Sequence, residues 1–66
     1  MSYSTESKKL AEILIRLYGK DGALKMAGRY ATDCAAIGDI AGQNRWNAAA
    51  AWITELIENE KLGKPP

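Results

Sequence analysis

Histidine is absent from this sequence, cysteine occurs once, and both prolines stand at the C-terminal end, at positions 65 and 66. Each shortage excludes something. Without histidine the commonest general acid-base at neutral pH is gone, together with a principal zinc ligand. With Cys34 alone, no disulfide can close within the chain and no second thiol is available for a zinc site. A Cys34 nucleophile would need an adjacent base; the residue falls instead on an apolar helical stripe, which reads as an inert buried thiol. An excess of one charge is also missing. Nine basic residues against eight acidic ones leave a formal net charge of +1, too little to track a line of phosphates. There is no apolar run of the roughly eighteen residues that a membrane span requires and no apolar N-terminal leader. A cytoplasmic protein without membrane contact is therefore expected. Asp33 and Asp39 flank a turn but lack the alternating acids of a calcium loop. Gly38 and Gly42 lack the further glycine and the preceding strand of a phosphate-binding loop. The sequence thus predicts no enzyme, no cofactor and no metal.

What is present is helical periodicity in a chain of 66 residues. A domain near this size buries only about 60% of its unfolded surface, so a single core supplies little stability. With disulfides and zinc excluded, oligomerisation is the remaining common staple. The expected fold is all-α: a three-helix domain with helices at about 5–18, 22–37 and 39–61, the third longest, packed into a helical homo-oligomer. Residues 1–4 are expected to be a flexible N-terminus, 5–61 a single domain and 62–66 a disordered tail.

Ser4 or Thr5 can cap the first helix. Its apolar positions Leu10, Ile13, Leu14, Leu17 and Tyr18 follow helical spacing, with Lys8, Lys9, Glu12 and Arg16 opposite and Ile15 off the stripe. Gly19 is placed to end this helix, and Lys20-Asp21-Gly22 carries turn chemistry. The second helix gathers Ala23, Leu24, Ala27, Tyr30, Ala31, Cys34 and Ala35 on a face of small side chains, which lets another helix approach closely. Gly28, costly in mid-helix, fits a close crossing. Gly38 then ends the helix and Asp39 caps the next. The stripe of that last helix is Gly42, Trp46, Ala49, Ala50, Ile53, Leu56 and Ile57.

The order Leu14-x-x-x-Tyr18-Gly19, Asp21-Gly22-Ala23, an alanine-rich helix, Gly38-Asp39-x-x-Gly42, Trp46 and an Ile/Leu-rich helix resembles short helical proteins of unknown function common in alphaproteobacteria. The likeness spans roughly residues 10–57. It implies a small all-helical domain and brings no activity or functional residue with it.

Trp46 lies near the centre of the last stripe and reads as core. Trp52 lies about 100° round the helix, beside Arg45, Ala48, Leu56 and Asn59. It must rest on neighbouring alkyl stems or enter a partner, and aromatic residues dominate interface energetics. Trp52, Arg45, Ala48, Leu56 and Asn59, with Ile15 of the first helix, form the expected interface. A helix-turn-helix outline fails on chemistry: Gln43 and Asn44 can read adenine, but no basic flank holds the phosphates. The expected function is a non-catalytic protein–protein interaction protein, a small adaptor, accessory subunit or inhibitor acting as a homo-oligomer, with itself and a larger protein as partners. The alternatives are a phage- or plasmid-type regulator that binds nucleic acid or a host factor, and an oligomer that holds a small ligand at the subunit seam.

Overall fold

The computed structural model describes residues 5–63, and they are all-helical: α1 spans Thr5–Ala36, α2 spans Ile40–Lys61, and a short turn joins them into a hairpin. The expectation of three helices is corrected to two. α1 counts 32 residues across its bend, in arms 5–18 and 20–36, and α2 counts 22 without a break. No turn occupies Lys20-Asp21-Gly22, which are helical; within α1 only Gly19 leaves helical geometry, at φ 78° and ψ 171°. The physical reason is economy. Glycine takes a positive φ without a Cβ penalty, so one residue redirects the chain and the helix resumes at the next, leaving Asp21 no cap to form.

The redirection is large. A straight helix of α1's length would span about 48 Å at 1.5 Å per residue, yet the longest dimension of the molecule is 39 Å. Contacts with α2 show where the two arms of α1 go. Before the bend, Glu6 and Ser7 meet Arg45 near the start of α2. Just after it, Lys20 pairs with Glu60 near the end of α2. Further on, Tyr30 stacks on Trp46. The first arm therefore runs along α2 in the same direction and the second arm runs back against it.

The turn between the helices follows from two residues. Gly38 sits at φ 78°; its N–H donates to Ala35 O at 3.1 Å and the Asp39 N–H to Cys34 O at 2.8 Å, the paired bonds of a Schellman ending. Asp39 then caps α2 by accepting from the Gly42 N–H at 2.9 Å, as its sequence position suggested. At the far end Leu62 closes α2, its N–H donating to Glu58 O at 3.0 Å. The expected flexible segment 1–4 and positions 64–66 of the expected tail lie outside the described residues.

The core is made largely of alanine. Ala11, Leu14, Ala23, Ala27, Ala31, Ala49 and Ile53 are buried, with Leu10, Ile15, Leu24, Met26, Tyr30, Trp46, Ala50, Trp52 and Ile57 half-buried around them. Methyl groups bring backbones close. At Gly42 a Cβ would collide with the capping Asp39 carboxylate and lie 2.9 Å from Cys34 Sγ of α1.

Candidate interaction surface

The flank of α2 picked out in the sequence lies against another part of the same chain and stays partly open to solvent. Arg45, Ala48, Trp52, Leu56 and Asn59 recur at helical spacing, and apart from exposed Arg45 all are half-buried. The first arm of α1 lies on this flank. Glu6 forms an ion pair with Arg45, and the hydroxyl of Ser7, a residue 2% exposed, donates to the Arg45 carbonyl at 3.4 Å. The Lys8 ammonium stands 4.9 Å from the centroid of the Trp52 ring, within the range of a cation–π contact. Ile15, off the expected stripe, packs against the core. Trp46 meets Tyr30 on the other side of α2, ring centroids 4.8 Å apart and tilted at 46°.

Sequence reasoning missed a different surface. Ile13, Leu17 and Tyr18, expected to face inward, are 51%, 66% and 50% exposed. The inward positions of this arm are Ser7, Ala11 and Leu14, spaced i, i+4, i+7 and as good a helical stripe as the one expected. Their small size concealed it. Ile37 and Ile40 are also exposed at the hairpin turn, and Leu62 beside the C-terminal end of α2.

Among the described residues no three His, Cys, Asp or Glu side chains gather where they could hold a metal ion, and no helix is long and apolar enough to cross a membrane. Partial burial, followed by the charge of Asp39 and its hydrogen bond with the thiol, raises the pKa of Cys34. The thiolate, the reactive form, is disfavoured there.

Fold and surface together define a small all-α helical hairpin with an alanine-packed seam and an exposed aliphatic face. Comparison with known proteins finds no family model, no curated protein and no solved structure that matches this chain.

Proposed function

We propose that this protein acts by association rather than by chemistry, as a homo-oligomeric binding module of the adaptor, accessory-subunit or inhibitor kind, in the cytoplasm. One observation supports the reading above others: burial by size is inverted. Among the described residues, five of the seven buried apolar ones are alanines, while Ile13, Leu17, Ile37, Ile40 and Leu62 stand in solvent. A helical face carrying Ile13 and Leu17 one turn apart gains about 25 cal/mol per Å² when covered, and clustered exposed apolar surface marks association sites.

A second copy is the occupant that fits. The formal charge of +1 gives copies little mutual repulsion, and two-fold pairing lets one apolar face serve both partners. The flank at Trp52 is already partly covered by the chain's own first arm, so the more exposed Ile13–Leu17 face is assigned the contact. Light scattering across micromolar concentrations tests this. The wild-type mass should exceed the monomer's, and Leu17→Glu should return it to the monomer with helicity unchanged. A wild-type protein that is monomeric throughout that range refutes the reading.

A further inference from the structure

Gly19 is the only residue of α1 that is not helical, and two features of its surroundings suit the bent helix but not a straight one. The first is Gly22. A Cβ added there would stand 2.9 Å from the Cβ of Tyr18, a separation real side chains do not show. In a continuous helix, residues four apart keep their Cβ atoms about 5–6 Å apart. Glycine at position 22 is thus required by the bend and by nothing in a straight helix. The same holds for Gly19, whose φ of 78° strains any L side chain, although the space around its would-be Cβ is open within 4 Å.

The second feature is the exposed face. Continued without a bend, α1 would place Ile13, Leu17, Lys20, Leu24, Ala27 and Ala31 on one stripe, with the alternating four- and three-residue steps of a helix-packing seam. Ala27 and Ala31 are buried and Leu24 packs on the core. Ile13 and Leu17, stranded in solvent by the bend, are therefore the extension of α1's own inward face. Bending turns a different face of the first arm, Ser7, Ala11 and Leu14, onto α2. The first arm carries two competing inward faces, and Gly19 selects between them.

From these two observations we infer that α1 is a hinged helix: it opens at Gly19 into a continuous helix, and the opened form takes a second copy of this chain as its partner. Length names that occupant. A straight α1 of about 48 Å outruns α2, which spans about 33 Å, so its Ile13–Leu17 end projects beyond its own hairpin. A second copy related by a two-fold axis presents the same uncovered end and the same α2, vacated by its own first arm. Exchange of an identical element is a low-cost route to a dimer. The inference rests on the self-association reading and adds to it the conformational change that exposes the shared stripe.

The test uses Gly19→Ala and Gly22→Ala, with Gly28→Ala as the control, because position 28 is helical and has open space in the bent form. Light scattering and sedimentation should show the first two variants as helical dimers whose dissociation concentration is at least about tenfold below the wild type's, since each copy gains alanine's helix preference over glycine. Gly28→Ala should leave the dissociation concentration unchanged, and Leu17→Glu in the Gly19→Ala background should abolish the dimer. The hinge is refuted if either glycine variant loses its helicity, because a straight helix accommodates alanine at both positions. It is also refuted if they stay monomeric or dimerise no more tightly than wild type. The two readings fail separately. A wild-type dimer unaffected by Gly19→Ala keeps association and removes the hinge, whereas a monomeric wild type with dimeric glycine variants keeps the hinge and removes association as the native function.

Discussion

Asp39 serves both helices through one short side chain. Its carboxylate accepts from the Gly42 N–H at 2.9 Å and so caps α2, while the same group hydrogen-bonds the Cys34 thiol of α1. Its backbone N–H closes the end of α1 on Cys34 O. Replacing it by alanine frees an orphan donor at the start of α2. Asp39→Ala should cost about 0.5–2 kcal/mol in urea unfolding, and an unchanged midpoint and slope would contradict the cap. The thiol supplies a second measurement. Partial burial and then Asp39 raise the Cys34 pKa, so alkylation near pH 8 should be slower than for a free cysteine, and Asp39→Ala should accelerate it. The sign for stability follows. Between the unfolded and the higher folded value the native state holds more protons than the unfolded chain, so the stability owed to the protonated thiol is lost as pH rises through that alkaline window.

On the scale of the helices, Ile53 of α2 is the largest fully buried side chain among the described residues, in one cluster with Ala11 and Leu14 of the first arm and Ala23 and Ala27 of the second. Ile53→Ala removes buried methylenes and leaves a cavity, a change that costs about 2–5 kcal/mol. In a domain this small that is most of the stability, and far-ultraviolet circular dichroism should show a chain largely unfolded at 37 °C. Trp46→Ala and Trp52→Ala should lower the thermal midpoint by comparable amounts, because both indoles pack against the same core.

Much of the α2 side was legible from the sequence because its signals are local. Gly38 and Asp39 carry specific turn and cap chemistry, and Gly42, Ala49 and Ile53 are spaced along one stripe. The face of α1's first arm was not legible. Positions 7, 11 and 14 fit a helix as well as 10, 13, 14 and 17 do. The bulkier set attracts attention, and only close packing against Ala49 and Ile53 selects the smaller one. The flank around Trp52 stood out as a surface in need of cover, but its cover comes from Lys8, more than forty residues away, and such long-range pairing leaves no local trace. The single-residue bend at Gly19 was hidden likewise: glycine signals a break without saying how short the break will be.

For the whole molecule, ion pairs mark both ends of the hairpin, Glu6 with Arg45 and Lys20 with Glu60. All four side chains are substantially solvated, and such exposed pairs contribute between nothing and about 1 kcal/mol each. They fix the register of the arms more than they stabilise the fold. The main cohesion must come from helix backbones held close over methyl groups. Such an interior has an unusual sensitivity to change. In most small domains the bulky aliphatic positions tolerate replacement least; here a library covering every position should find Ile37, Ile40 and Leu62 permissive for folding, while enlarging Ala27 or Ala49 by a few carbons would wedge the helices apart.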